Sequence, residues 1–270
     1  IKVVNGEDEM LVFDEYGNRE NPTLLLLHGA GVLDTFSAQY EAFNDYHLVV
    51  PHLSGAGESA HLPYEPKQMV AELIALMDHL SKEKIGVMGH SLGAQLALLL
   101  VTTCPERFAF AIFLSAWVNP SAWRVKMYES VAPLGAKWLH LKWAIRLQGT
   151  YWHLTQQQIA YMCKYSQHIT PAVYRSFFQH TVVLADLLEY DTLSLPMLAI
   201  CGDQEIRAMK ESLRLLAKNP CCQTIILKRA GHDFVMKKAT ELHPVLRTFI
   251  SATMQGQEAS KGGWSHEATL

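Results

Sequence analysis

Short apolar runs recur along the chain, and the stretches between them carry helical spacing. Leu11 to Glu15 reads as a strand, and Tyr16-Gly17-Asn18 as the turn after it. Thr23 to Leu27 contains four consecutive leucines, as a strand covered on both faces would. Leu48 to Val50, Ile85 to Met88, Ala109 to Leu114, Pro196 to Cys201 and Thr224 to Leu227 are further short apolar runs that read as strands. Lys67 to Leu80 carries Met69, Val70, Leu73, Ile74, Met77 and Leu80 on one stripe and predicts a helix. Ala94 to Thr103 is a strong helix former, and Ala239 to Ile250 supplies a last helix. Strands alternating with helices predict an α/β fold, a mostly parallel central sheet flanked by helices on both faces.

Residues 117–185 break this rhythm. They read as helical, without a strand, and hold five of the six tryptophans: Trp117, Trp123, Trp138, Trp143 and Trp152. The core is therefore expected in two pieces, residues 1–116 and 186–253, with a helical insertion between them. Residues 254–270, with Gln-Gly-Gln and Lys-Gly-Gly, lack a core pattern and read as a flexible tail.

Gly89-His90-Ser91-Leu92-Gly93 falls between the strand at Ile85 and the helix from Ala94. A Gly-x-Ser-x-Gly in that position is a nucleophile elbow, a tight turn that thrusts the serine out at the carboxyl end of its strand. A hydroxyl becomes a nucleophile only when a base takes its proton, and the base needs a third group to orient it. His232 follows the run Thr224 to Leu227, in Arg229-Ala-Gly-His-Asp-Phe234. Between serine and histidine, Gly202-Asp203-Gln204-Glu205 follows a strand and offers two carboxylates. Their order along the chain is Ser, acid, His.

These motifs together resemble the α/β-hydrolase fold, of the capped lipase/esterase-like type, over roughly residues 8–252. His28-Gly29-Ala30-Gly31 resembles that family's oxyanion loop, and Ser54-Gly55-Ala56-Gly57-Glu58-Ser59 resembles its Gly-x-Gly-x-Ser loop. The family's Asp two residues before Ser54 is His52 here. The resemblance implies a serine hydrolase with Ser91 as nucleophile and His232 as base. In the family the acid lies three residues after the strand-ending Gly, and the resemblance so implies Glu205 as the acid, with Asp203 as the alternative. Backbone N–H groups of Ala30 and Leu92 are the implied oxyanion hole. Residues 117–185 become a helical cap inserted after the sixth strand and lying over Ser91, and Trp117, Trp123 and Trp143 are expected to line an apolar substrate pocket.

The expected substrate is a small to medium carboxylic ester or thioester with an apolar or amphipathic acyl part. From Trp117 to His180 there are seven basic residues and one acid, net +6 in a chain of net charge −3. That bias predicts a cationic pocket edge and keeps open an anionic substrate, on which the same triad would perform C–C bond hydrolysis, elimination or acyl transfer. A cofactor-free haloperoxidase-like activity also stays open on these residues, as does a small-molecule receptor with little turnover. Asp34 is expected to cap the helix after it.

Composition narrows the rest. At 270 residues and 49% hydrophobic, the chain can bury a large core. Its small net charge argues against nucleic acid as a partner, and no apolar run reaches the roughly 18 residues of a membrane span. Five scattered Cys without CxxC suit a reduced, cytoplasmic protein. No signal peptide is read, and the chain begins at Ile1 rather than Met, so the natural start is expected upstream. His47, His52, His61 and His79 lack metal-ligand spacing, and no Lys-Ser/Thr follows Gly55 and Gly57, so no metal and no cofactor are expected. Nothing in the sequence specifies an oligomeric state.

Overall fold

The computed structural model describes residues 11–261. In chain order its main elements are β1 (Phe13–Tyr16), β2 (Thr23–Leu27), α1 (Ser37–Tyr40), β3 (His47–Pro51), α2 (Pro66–Leu80), β4 (Ile85–His90), α3 (Leu92–Thr103) and β5 (Phe108–Leu114). Four helices follow: α4 (Ala122–Leu139), α5 (Lys142–Tyr151), α6 (Gln156–Tyr165) and α7 (Pro171–Gln179). The chain closes with β6 (Met197–Gly202), α8 (Arg207–Leu216), β7 (Cys222–Leu227), α9 (Phe234–Lys237) and α10 (Ala239–Lys261). The seven strands form one sheet in the order β1-β3-β2-β4-β5-β6-β7. Only β1 runs antiparallel, against β3. This is the α/β architecture that the strand–helix alternation predicts.

Strand periodicity divides the core. Leu25 and Leu27 face one side with Met69, Leu73 and Leu213 of α2 and α8. Leu24 and Leu26 face the other with Phe36, Phe234 and Leu246. Successive strand residues alternate faces, so both sides of the sheet bury apolar surface and both need helices over them. The insertion expected after the sixth strand follows β5, the fifth of the described strands.

One boundary moves. The last helix, expected to end at Ile250, continues to Lys261, into the segment read as a flexible tail. Past Ile250 the sequence still offers good helix formers (Ala252, Met254, Gln255, Gln257, Glu258, Ala259), so propensity extends the helix where core pattern stops. Residues 262–270 of that expected tail lie outside the described residues.

α3 approaches the sheet closely, which sets where the elbow points. A Cβ at Gly93 would stand 1.9 Å from the carbonyl oxygen of Leu27, and one at Gly89 would stand 2.1 Å from that of Gly93. Backbone meets backbone at both places, so no side chain can yield. Gly93→Ala should cost about 3 kcal/mol of stability through this overpacking. The readout is the urea midpoint, and an unchanged midpoint would mean that the contact is looser than described.

Candidate active site

Ser91 occupies the joint between β4 and α3. Its backbone is left-handed, at φ +54° and ψ −113°, a conformation that costs on the order of 1–3 kcal/mol outside glycine. Its N–H donates to Leu114 O at 2.9 Å, anchoring the turn to the end of β5. The serine hydroxyl is left free of the helix cap and stands 3.0 Å from His232 Nε2. His232 Nδ1–H donates to Glu205 Oε2 at 2.8 Å. That bond fixes the tautomer, leaving Nε2 to accept from Ser91.

Glu205 is the centre of a dry network. Its other oxygen accepts from Ser115 Oγ at 2.7 Å and from the Gly202 N–H at 2.8 Å. Its side chain is 1% exposed, whereas that of His232 is 46% exposed. Burial works against the carboxylate's charge, but the hydrogen bonds from His232, Gly202 and Ser115 outweigh it and hold the carboxyl below its ordinary range. The alternative carboxylate, Asp203, faces elsewhere and accepts from the Ala230 N–H at 3.2 Å, bracing the histidine loop.

Two further histidines build the scaffold. His90 Nε2–H donates to His232 O at 2.9 Å, tying the elbow to the histidine loop. His28 accepts from the Leu53 N–H through Nε2 at 3.2 Å and donates to Gly29 O through Nδ1 at 2.8 Å. Gly29 N–H in turn donates to Thr35 Oγ1 at 3.2 Å, and Val32 N–H returns to Gly29 O. This small knot projects Ala30 into the cavity. Leu92 is the first residue of α3, so its N–H has no acceptor within the helix, and the residue lines the cavity beside Ser91.

A cavity of about 370 Å³ opens over Ser91 and His232. Trp117, Tyr128, Phe177, Phe178, Ile206 and Met209 form its apolar walls. Tyr128 stacks on Phe178 at 5.2 Å and meets Trp117 edge-on at 5.6 Å. Gln95 and Gln204 are its uncharged polar members. A cleft of about 500 Å³ between α10 and the β6–β7 edge contains no candidate nucleophile or base.

Several expectations change. Trp123 and Trp143 do not line the cavity; they are 63% and 60% exposed. The cause is helical phase: Ala132 and Ala136 form the inward side of α4, and Trp123 points away from them beneath Arg124. Trp143 packs edge-on against Trp138. The expected cationic edge does not reach the cavity lining, where among the described residues no Lys or Arg stands. Asp34 does not cap a helix; it accepts from Gln158 Nε2 at 3.0 Å and so pins α6 to the loop after β2. Sequence reasoning misses Ser115, and with it Gln95, Ile206 and Met209. The register offers a signal for Ser115, since His90 pairs with Leu114 and the next residues stand side by side. Among the described residues no group of His, Cys, Asp or Glu could hold a metal ion, and no helix is long and apolar enough to cross a membrane.

A doubly covered parallel sheet with serine, histidine and carboxylate gathered at its carboxyl edge defines a recognisable class. The model of the alpha/beta hydrolase family matches residues 24–244, and the chain belongs to that family. It is 35% identical over 105 residues to the inferred carbamate hydrolase RutD of Pseudomonas syringae pv. syringae (strain B728a), a match covering 37% of this chain. The chain spans only 40% of that relative's length in the match. Among solved structures, a thermophilic esterase from Thermogutta terrifontis superposes with a TM-score of 0.70 at 19% identity, covering 93% of this chain and 97% of that one. A structure from Nitrososphaera gargenis, described under carboxylesterases, gives 0.72 at 14% identity, covering 91% and 95%.

The scaffold histidines generate a pH prediction. Burial, with the nearby His232, pushes His90 down to about 3, and burial pushes His28 down to about 4. The unfolded chain protonates such groups below about pH 6.5. Folded-state values lie beneath that, so stability is full above pH 6.5 and is lost as pH falls toward 4 and 3. The melting temperature should drop between pH 6.5 and 4.5, and His90→Gln should flatten the slope. The same slope in the variant would assign the loss to other groups.

Proposed function

We propose that the protein is a serine hydrolase of uncharged carboxylic esters or thioesters with an apolar acyl part. The observation that carries this reading is the continuous relay Ser91–His232–Glu205, with spacings of 3.0 and 2.8 Å, opening into an apolar cavity. Ser91 Oγ attacks the acyl carbonyl as His232 Nε2 takes its proton. Glu205 keeps the imidazole oriented and stabilises its cation. The developing oxyanion is held by the N–H groups of Leu92 and Ala30, aided by the positive end of α3. Collapse returns the proton to the leaving group and leaves an acyl-enzyme, which water, activated by His232, then releases.

The lining also selects among substrates. An anionic substrate would meet Glu205 and aromatic walls with no Lys or Arg to receive it, which favours neutral esters over the C–C hydrolysis, elimination and acyl-transfer readings. A volume of about 370 Å³ bounded mainly by rings suits a longer apolar acyl group better than a small polar carbamate. We take residues 117–185 as a cap whose inner face supplies those rings.

Ser91→Ala should abolish ester turnover and fluorophosphonate labelling while leaving the melting temperature nearly unchanged. Glu205→Gln should lower kcat by about 10³–10⁴-fold, and Asp203→Asn should stay within a few-fold of the parent. The reverse ranking would exchange the two carboxylates. Across p-nitrophenyl esters, kcat/KM should rise with acyl length until the cavity is full, at roughly 0.8 kcal/mol per buried methylene. Matched monoacid esters should be poorer at every ionic strength; a preference for them at low salt would restore the anionic-substrate reading.

A further inference from the structure

The outer face of α4 and α5 is largely uncovered among the described residues, with Lys237 of α9 reaching only the Tyr151 ring at its far end, and it is unusually apolar. Trp123, Met127, Val131, Leu134 and Trp138 on α4, with Leu141, Trp143, Leu147 and Tyr151 beyond, are between 40% and 68% exposed. These are not scattered residues. At 3.6 residues per turn, the five on α4 fall within about 80° of one another. Trp143, Leu147 and Tyr151 fall within about 80° on α5. The rings of Trp138 and Trp143 meet at 6.1 Å, so the two stripes join into one ridge. A contiguous exposed apolar face of this kind marks an interaction surface.

Charge identifies the partner. On the same wheel, Arg124 borders one edge of the α4 stripe, and Lys126 and Lys137 border the other. Arg146 takes the corresponding place beside the α5 stripe, and Lys142 lies at the start of that helix. Glu129, the one acid of the two helices, lies about opposite the α4 stripe. Among the described residues, none of Lys126, Lys137, Lys142 and Arg146 is engaged in an ion pair. A second copy of the chain would bring the same cations against themselves, which disfavours self-pairing through this face. Tryptophan and leucine flanked by lysine and arginine match the interface of an anionic bilayer instead: the rings sit at headgroup depth and the cations contact lipid phosphates.

We propose that α4 and α5 seat this ridge in the interfacial layer of an anionic lipid membrane, lying on it without crossing it. The cavity wall residue Tyr128 sits on α4 as well, so the docked helix is also a wall of the cavity over Ser91. The proposal stands apart from the reaction proposed above, because binding is read without turnover.

The test uses the full chain carrying Ser91→Ala, so that no lipid is consumed. Partitioning onto vesicles of phosphatidylcholine with and without phosphatidylglycerol is measured by co-sedimentation and by tryptophan emission. Expected are binding to the phosphatidylglycerol vesicles, a blue-shifted emission, and weakening with salt. Adding Leu134→Ser, Trp138→Ser and Leu147→Ser together should lower partitioning more than tenfold. Each of Lys126→Gln, Lys137→Gln and Arg146→Gln should lower it about fivefold. Melting curves check that every variant is folded, and the three charge variants remain informative if the apolar triple variant is not. Phosphatidylglycerol vesicles that bind no better than pure phosphatidylcholine at low salt would overturn the proposal. So would binding that the folded apolar variant retains in full, which is charge attraction without seating. A dimer in light scattering that the apolar variant splits would assign the face to a second copy.

Discussion

The buried carboxylate of Glu205 is the constraint around which the carboxyl edge of the sheet is arranged. An ionised carboxylate in a dry site must be met by donors, and losing one partner of a buried charge costs about 3–5 kcal/mol. Three donors reach it from three parts of the chain: Ser115 just after β5, Gly202 at the end of β6, and His232 on the loop after β7. Sheet order makes this possible, because β4, β5, β6 and β7 are adjacent in that sequence. Ser91, at the end of β4, joins through its own N–H to Leu114. The carboxylate therefore acts as a clasp across the parallel strands as well as a partner for the imidazole. Ser115 accepts a left-handed backbone, at φ +53°, in the position from which its hydroxyl donates to Glu205.

What can be read in the sequence follows from how local each signal is. The elbow, its strand and its helix lie within about twenty residues, and the two glycines are demanded by contacts the elbow itself creates. His232 and Glu205 lie on loops that follow strands, so the strand endings mark both loops, but only the family's spacing separates Glu205 from Asp203. Trp123 and Trp143 show the opposite case. A tryptophan in a helical insertion reads as apolar cargo, but whether it faces core or solvent depends on the phase of α4 and α5 against α7 and the sheet. That phase is set by Ala132, Ala136, Ile145 and Gly149 packing inward, mostly small residues that carry little periodic signal. α8 turns Ala208, Ser212, Leu213 and Leu216 inward and its charged residues outward, a helical spacing that the sequence reading leaves unassigned. The net +6 of the insertion is visible in the sequence, but its direction is not.

The insertion has two unlike halves. α6 and α7 are stitched to the core: Gln158 to Asp34, the Tyr165 hydroxyl to Glu58, and Ser176 Oγ to the Tyr64 N–H at 2.7 Å. Phe177 lies so close to Gly55 that a Cβ there would stand 2.3 Å from its ring. α4 makes its closest packing with α7, and α5 with α6, so the outer pair rests on the core mainly through the inner pair, with Lys237 of α9 over the Tyr151 ring as a direct contact. Apolar surface is satisfied below and left open above.

The cavity wall has two origins, and they are mechanically separate. Ile206 and Met209 belong to the core after β6, whereas Tyr128, Phe177 and Phe178 arrive on the inserted helices. The clasp at Glu205 involves none of the inserted helices. Changes in α4 or α7 can therefore reshape what fits above the serine without disturbing the hydrogen bonds that join Ser91, His232 and Glu205. In such a chain, the hydrogen-bonded cluster and the shape of the space above it are inherited on different parts of the backbone, and selection can alter one while the other stands still.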